Sequence, residues 1–292
     1  MSKALKILSR PRGNAEEYGQ WAVNPYKGCG HGCLYCYLKK GVWANGLGGS
    51  TAELKSGVVN QEHAYHLAMA EIIENREEII RDGGLFMTFT SDPCVEETRN
   101  LFFLIVKDAM GKRVPVVLLT KNADFTKEYY YENIRWRLSV NEYGHDVAFG
   151  WTLTGHDELE LNAHSNEMRL QEMSRVCRDG FKVWASIEPV ITFPSALDMV
   201  YQAVNAGCQH FKIGLLTNNT RLVRKDFEFG EHHFDAYKVN DCLHFIEDVM
   251  RVTDGKATVY WKQSVRDLLG TDYECEIDRY PHSVGKNYNL FI

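Results

Sequence analysis

The sequence predicts an α/β fold in which a parallel sheet curves into a partial barrel of six strand–helix units, followed by a C-terminal extension. Three observations lead to this prediction. Apolar, β-branched runs alternate with segments of helical periodicity over most of the 292 residues. Helix start and stop residues separate the two kinds of segment. Strands joined by helices must run parallel, and right-handed crossovers curve such a sheet.

The elements follow one another in a regular order along the chain. Strands are predicted at 21–28, 85–90, 115–120, 146–154, 181–189 and 209–216. Helices are predicted between them at 63–82, 95–112, 125–138, 165–180 and 195–207. Residues 217–240 interrupt the order with charged and aromatic side chains, and a helix (242–252) and a short strand (257–263) follow. We therefore predict a barrel over 1–216 and an extension over 217–292 that caps it within the same domain.

Composition narrows the classes of function. The chain is 45% hydrophobic with a formal net charge of -6, so it has no overall basic field, and a nucleic acid would need a local groove. The sequence has no apolar run long enough to span a bilayer and no signal-peptide core, which predicts a cytoplasmic protein without a membrane partner. In a reducing compartment, the eight cysteines favour metal or redox chemistry over disulfides.

Three of the cysteines lie together in NPYKGCGHGCLYCYLKK, at Cys29, Cys33 and Cys36. A zinc site would need a fourth ligand, for which His31 is a candidate. A thioredoxin-like motif would use CLYC and leave Cys29 without a role. In a 4Fe-4S cluster, three cysteines leave one iron open to chelate a small molecule, and this interpretation uses all three thiols.

The spacing CxxxCxxC, with the aromatic residue Tyr35 directly before the third cysteine, resembles the radical S-adenosylmethionine (SAM) superfamily. The resemblance implies a partial (β/α)6 TIM-type barrel, a 4Fe-4S cluster on the three cysteines, and S-adenosyl-L-methionine as second cofactor. It further implies an enzyme, of lyase or transferase type, that cleaves SAM to a 5'-deoxyadenosyl radical. An electron donor such as flavodoxin or ferredoxin would be its partner.

The same resemblance implies SAM contacts at the carboxyl ends of the strands. After the second strand, Thr90, Ser91 and Asp92 would meet the methionyl amino group, although Ser91 or Asp92 could instead cap the next helix. The further predicted contacts are Tyr35, Lys121, Thr152, Arg169, Ser186 and Glu188. Arg169 could also lie on a solvated helix face. Glu188 is expected to face polar groups such as the SAM ribose or Lys121, because a buried carboxylate needs partners.

Within the superfamily, the sequence is most similar to the spore photoproduct lyase-like group. NPYKGCGHGCLYCYLKK, FTSDP, LTK and IEP occur in the same order as in those proteins, over about the first 215 residues. The group includes DNA repair enzymes, which implies a nucleic acid or nucleotide as substrate. Those enzymes carry a hydrogen-donor cysteine where this chain has Phe89, and Cys94 is the candidate replacement.

Two other functions are compatible with the sequence. One is a radical SAM enzyme that acts on a peptide or a small metabolite. The other is a zinc-stabilised nucleic-acid-binding module without catalysis. In the extension, Lys262 of YWKQ could enter a substrate pocket or simply end a core strand.

Overall fold

The structure is a computed structural model that describes residues 5–40, 44–124, 146–218, 221–271 and 273–291. The helix predicted at 125–138 lies outside the described residues. The chain divides into two compact units. The first comprises Met1–Gly32, Leu38–Phe149 and Asn289–Ile292, and the second comprises Cys33–Tyr37 and Gly150–Tyr288.

The first unit is built on a sheet with short strands. Its strands are β1 (Leu8–Ser9), β2 (Ala22–Val23), β3 (Tyr26–Lys27), β4 (Glu53–Leu54), β5 (Leu85–Met87), β6 (Val116–Thr120) and the beginning of β7 (Val147–Thr152). Strands β2, β5 and β6 pair in parallel in that order, and β1 adds to β2 in antiparallel orientation. The strands predicted at 85–90 and 115–120 are therefore confirmed.

The helices of the first unit lie within about two residues of the predicted segments, but one predicted helix is divided. They are α1 (Gln61–Glu74), α2 (Arg76–Arg81) and α3 (Glu96–Met110). Asn60 caps α1 by accepting a hydrogen bond from the His63 backbone N–H, 2.8 Å away. The last residue of α3 is followed by Gly111, as expected for a glycine that ends a helix. The helix predicted at 63–82 is divided into α1 and α2.

The strand predicted at 21–28 is the element that differs most from the prediction. It forms two separate strands, of which β2 joins the parallel sheet and β3 pairs antiparallel with β4. Asn24 and Pro25 lie between them, and proline has no backbone N–H to continue a ladder. The Asn24 side chain instead accepts hydrogen bonds from Thr88 Oγ1 and the Phe89 backbone N–H, both at 2.8 Å.

The second unit contains the longer strands and most of the predicted extension. Its strands are the end of β7, β8 (Lys182–Val190), β9 (His210–Leu215), β10 (Thr217–Asn218), β11 (Arg221–Leu222), β12 (Phe227–Phe229), β13 (His232–Phe234) and β14 (Thr258–Trp261). Its helices are α4 (Asn166–Arg178), α5 (Phe193–Asn205), α6 (Val239–Thr253), α7 (Gln263–Leu269) and α8 (Glu274–Asp278). Short 3-10 turns occur at Gly13–Glu17, Tyr37–Lys39 and Asp157–Leu159 in the chain.

Strand β14 extends the parallel order beyond the six predicted strands. It pairs in parallel with β9, from Thr258 opposite His210 to Trp261 opposite Ile213. Helix α6 makes the connection between them, so β9, α6 and β14 form a further strand–helix–strand unit. The aromatic and β-branched run TVYW explains the pairing, because such residues fit a buried strand.

The predicted fold class is confirmed. Parallel strands joined by helices form the sheets of both units, as the alternation of apolar runs and helical segments predicts. In the part of the chain that the structure describes, no helix has the length and apolar character needed to cross a membrane.

Candidate functional site

The amino-terminal half of the cysteine loop is fixed to a neighbouring segment of the first unit. Gly28 donates its backbone N–H to the Leu47 carbonyl at 2.9 Å, and Cys29 donates to the Gly49 carbonyl at 3.3 Å. Gly28 has a φ of +80°, and a Cβ there would lie 2.3 Å from the Thr51 carbonyl oxygen. Only glycine fits this position, because both the conformation and the close approach exclude a side chain.

His31, between the first two cysteines, is directed into the protein. Its side chain is 7% exposed, and its Nε2 atom lies 2.9 Å from Asp92 Oδ2. Asp92 follows β5 and is 8% exposed in its side chain. The contact links the cysteine loop to the carboxyl end of β5.

Asp92 is surrounded by hydrogen-bond donors of the first unit. Its Oδ1 atom accepts from Thr120 Oγ1 at 2.7 Å and from the Cys94 N–H at 2.8 Å, while Oδ2 also accepts from the Lys121 N–H at 3.0 Å. Burial alone would raise the pKa of Asp92, but attraction to His31 and these hydrogen bonds outweigh it and lower the pKa to about 2. The carboxylate is therefore ionised at neutral pH.

The other predicted residues near β5 differ in their surroundings. Thr90 donates its hydroxyl to the Tyr26 carbonyl. Ser91 Oγ is buried without a hydrogen-bond partner among the described residues. Cys94 is fully buried, and burial, followed by the charge of Asp92, raises the pKa of its thiol well above the ordinary value. Phe89 stacks on Phe86 with ring centroids 4.4 Å apart.

The carboxyl-terminal half of the cysteine loop belongs to the second unit. Cys36 donates its backbone N–H to the Cys33 carbonyl at 3.3 Å, and Leu34 donates to the Leu159 carbonyl at 2.9 Å. Cys33 is buried and Cys36 is half-buried. The Tyr35 ring packs edge-on against Phe229 of the β12–β13 hairpin, with centroids 6.2 Å apart.

The Tyr35 hydroxyl contacts a fully buried ion pair. Its hydroxyl donates to Glu160 Oε1, and Glu160 Oε2 lies 2.6 Å from Arg169 Nη2. Both members of the pair are 0% exposed, and Arg169 Nη1 also donates to the Thr152 carbonyl at 2.8 Å. Burial, and then the charge of Glu160, raises the pKa of Tyr35 well above its ordinary value, so the phenol keeps its proton. Arg169 does not lie on a solvated helix face.

A second ion pair lies at the end of β8. Both carboxylate oxygens of Glu188 accept from Lys262 Nζ, at 2.7 and 2.6 Å. Lys262 is 2% exposed and Glu188 20% exposed in their side chains. Gly214 makes room for the pair, since a Cβ there would lie 2.9 Å from Lys262 Cδ. Ser186, also in β8, is buried, and its carbonyl accepts from the Leu153 N–H.

Among the residues that the structure describes, no three His, Cys, Asp or Glu side chains lie close enough together to hold a metal ion. The three motif cysteines are present as thiols, with Cys29 in the first unit and Cys33 and Cys36 in the second. Their role as cluster ligands, and the SAM contacts predicted from the sequence, remain predictions.

Comparison with known proteins shows the fold. A cysteine-to-serine mutant of spore photoproduct lyase matches with a TM-score of 0.61 and 14% identity, covering 89% of this chain and 81% of that one. A double mutant with bound AdoMet and dinucleoside spore photoproduct matches with a TM-score of 0.60 and 14% identity, covering 89% and 80%. The fold is that of spore photoproduct lyase.

At the sequence level the similarities are weaker. An uncharacterized protein of Methanocaldococcus jannaschii is 25% identical over 190 residues, which is 62% of this chain and 64% of that protein. The chain thus matches less than two thirds of that relative's length. No model of a protein family matches the sequence.

Three residues of the site have partners that sequence reasoning did not identify. The sequence suggests His31 only as a zinc ligand. Its patterns indicate neither a role for Glu160 nor a pairing of Lys262 with Glu188. The partners are distant in sequence, at separations of 61 residues for His31 and Asp92 and 74 for Lys262 and Glu188. Only the fold brings them together. A largely buried acid such as Glu188, with 20% of its side chain exposed, does predict that some cation must accompany it.

Proposed function

We propose that the protein is a radical SAM enzyme that carries a 4Fe-4S cluster on Cys29, Cys33 and Cys36 and binds S-adenosyl-L-methionine. One observation carries the proposal: a CxxxCxxC motif in a chain that shares its fold with spore photoproduct lyase, one solved structure of which has AdoMet bound. The fold likeness holds at only 14% identity, so it does not depend on extensive sequence similarity.

The donor chemistry of the loop fits such a cluster. Three thiols supply the thiolates that an iron–sulfur cluster prefers, and their number leaves one iron for an outside ligand. Zinc is less well supported, because it needs a closed shell of four ligands. The candidate fourth ligand, His31, contacts Asp92 through Nε2, as zinc-bound histidines also commonly contact a carboxylate, so this contact does not distinguish the two metals. Support for the cluster therefore comes from the donor set and the fold, not from a preformed group of sulfurs.

When bound, the reduced cluster supplies one electron, taken from flavodoxin or ferredoxin, for cleavage of the SAM C5'–S bond into methionine and a 5'-deoxyadenosyl radical. The chain's own residues hold and orient the cofactor. Ser91 supports this role, because its buried Oγ has no hydrogen-bond partner among the described residues. Thr90 precedes Ser91 in the chain, and the Lys121 N–H contacts the next residue, Asp92. Both are retained as proposed contacts, together with Tyr35, Thr152, Arg169, Ser186 and Glu188.

We further propose that the substrate is a nucleic acid or a nucleotide. The support is the fold likeness to spore photoproduct lyase, which has been solved with dinucleoside spore photoproduct. The hydrogen-donor role of Cys94 belongs to the same proposal. The raised pKa of Cys94 is consistent with it, since a donor must keep its S–H hydrogen. The reaction itself is expected to be of lyase or transferase type.

The test of the proposal is anaerobic reconstitution with iron and sulfide, followed by reduction and incubation with SAM. We expect a brown protein with broad visible absorption, and 5'-deoxyadenosine detectable by mass spectrometry. The Cys33→Ala variant is the matched control and should yield neither. A colourless protein that holds zinc, or no 5'-deoxyadenosine above the control, would overturn the proposal.

The substrate class has its own test. Oligonucleotides, nucleotides and a peptide mixture are added in parallel to the reduced holoenzyme with SAM. We expect oligonucleotides or nucleotides to raise 5'-deoxyadenosine formation above the rate without substrate. If only the peptides raise 5'-deoxyadenosine formation, the substrate is a peptide and the proposed substrate class is wrong. The proposed cofactor chemistry would stand.

A further inference from the structure

The His31–Asp92 pair of the first unit is buried and extensively hydrogen-bonded. The His31 ring and the Asp92 carboxylate are 7% and 8% exposed, and their contact is 2.9 Å. A carboxylate that is ionised can only accept, so His31 Nε2 must carry the hydrogen that it shares with Asp92.

Asp92 has no acceptor position left for a ligand. A carboxylate has about four lone-pair sites, two on each oxygen. Thr120 and the Cys94 N–H occupy Oδ1, while His31 and the Lys121 N–H occupy Oδ2. An incoming ammonium group would have to displace one of these donors and leave it buried and unsatisfied, which is costly.

The four donors come from separate parts of the first unit. His31 belongs to the cysteine loop, the Cys94 N–H lies at the approach to α3, and Thr120 and Lys121 end β6. Asp92 itself follows β5. The pair therefore ties the loop that carries Cys29 to the carboxyl ends of two neighbouring parallel strands.

From these contacts we infer that His31 and Asp92 are positioning residues that hold the cysteine loop for cluster binding, and that Asp92 does not contact SAM. The inference rests on the proposed function. Residues that orient metal ligands from outside the coordination shell commonly change metal affinity by about 10- to 100-fold when they are replaced. Loss of the pair should therefore weaken cluster retention before it affects SAM itself.

The test measures iron loss from reconstituted protein. Wild type, His31→Leu, His31→Gln and Asp92→Asn are loaded anaerobically, and release of iron to a chelator is followed by absorbance. His66→Leu is the matched control, because His66 is exposed, lies on α1 and contacts the exposed Glu62 and the neighbouring Tyr65 ring. We expect release to be about tenfold faster or more for His31→Leu and Asp92→Asn, and less affected for His31→Gln, which keeps a donor.

Two further measurements separate positioning from a general structural effect. Far-UV circular dichroism of the metal-free proteins confirms that each variant is folded, and electron paramagnetic resonance of the reduced cluster reports its environment. We expect His31→Leu and Asp92→Asn to change the resonance signal in the same way. The double variant His31→Leu/Asp92→Asn should change it no more, and release iron no faster, than either single variant. SAM, at saturation, should still alter the signal of Asp92→Asn.

The experiment distinguishes failure of the positioning inference from failure of the proposed function. If wild type takes up no cluster, the proposed function is wrong. If wild type holds a cluster and His31→Leu loses iron no faster than His66→Leu, the positioning inference is wrong and the function stands. If Asp92→Asn alone abolishes the response to SAM, Asp92 is a cofactor contact after all.

Discussion

Replacement of Glu160 by glutamine tests the buried ion pair of the second unit. Glu160 and Arg169 are both 0% exposed, with 2.6 Å between Oε2 and Nη2. The variant keeps the shape of the side chain but leaves the guanidinium charge without a counter-charge. Removing one member of a buried pair costs about 3 to 5 kcal/mol, because the other charge remains desolvated.

The cost is large enough to measure by thermal unfolding. For a domain of this size class, each kcal/mol lowers the midpoint by about 2 to 4 °C, which predicts a fall of about 6 to 20 °C. Asp248→Asn is the control, since it breaks the exposed Arg251–Asp248 pair and should change stability by about 0.5 kcal/mol or less.

The double variant Glu160→Gln/Arg169→Met completes a thermodynamic cycle. It removes both charges, so we expect it to recover part of the lost stability, with a coupling energy of about 2 kcal/mol. If the Glu160→Gln protein unfolds at the same midpoint temperature as the Asp248→Asn protein, the reasoning is refuted. That result would mean that the pair contributes no more than a solvated one.

Three other predictions concern separate features. Gly150→Ala should destabilise the protein by about 3 kcal/mol or more in urea unfolding, because its Cβ would lie 2.2 Å from Trp184 Cε2. The control Gly46→Ala should be near neutral, because its Cβ would have no described atom within 4 Å. Lys262→Met should cost about 3 kcal/mol by removing the buried cation that contacts both carboxylate oxygens of Glu188, and a loss matching Gly46→Ala would contradict this. In metal-free folded protein at neutral pH, iodoacetamide should modify the half-buried Cys29 and Cys36 while the buried Cys94 and Cys208 react only after unfolding, as peptide mass spectrometry can establish.

Much of the fold could be predicted because its signals are local. The strand predicted at 115–120 is observed at Val116–Thr120, and the helix predicted to stop near Gly111 ends at Met110. Apolar runs, capping residues and helix-ending glycines all act over a few neighbouring residues. The seventh parallel strand, Thr258–Trp261, was predicted as a strand but not as part of the parallel order, since pairing depends on distant partners.

The candidate site could be predicted only in part for the same reason. The CxxxCxxC spacing, the aromatic Tyr35 and the alternation of strands and helices together suggest the cluster, which stays a prediction. Arg169 differs, because the sequence of α4 allows it to be solvated, and only the structure reveals its burial against Glu160. Asp92 is predicted from the sequence as a SAM contact after the second strand, but its four hydrogen-bond donors come from segments that no local pattern connects.

The contacts of His31 and Asp92 involve only protein groups, and this has a practical consequence for handling the molecule. A zinc finger loses its structure when its ion is withdrawn, because the ion supplies the folding energy. Here the amino-terminal half of the loop is held by hydrogen bonds between protein groups, from His31 to Asp92 and from Cys29 to Gly49. Material prepared in air should therefore stay native and colourless, ready to be charged with iron and sulfide later without a refolding step.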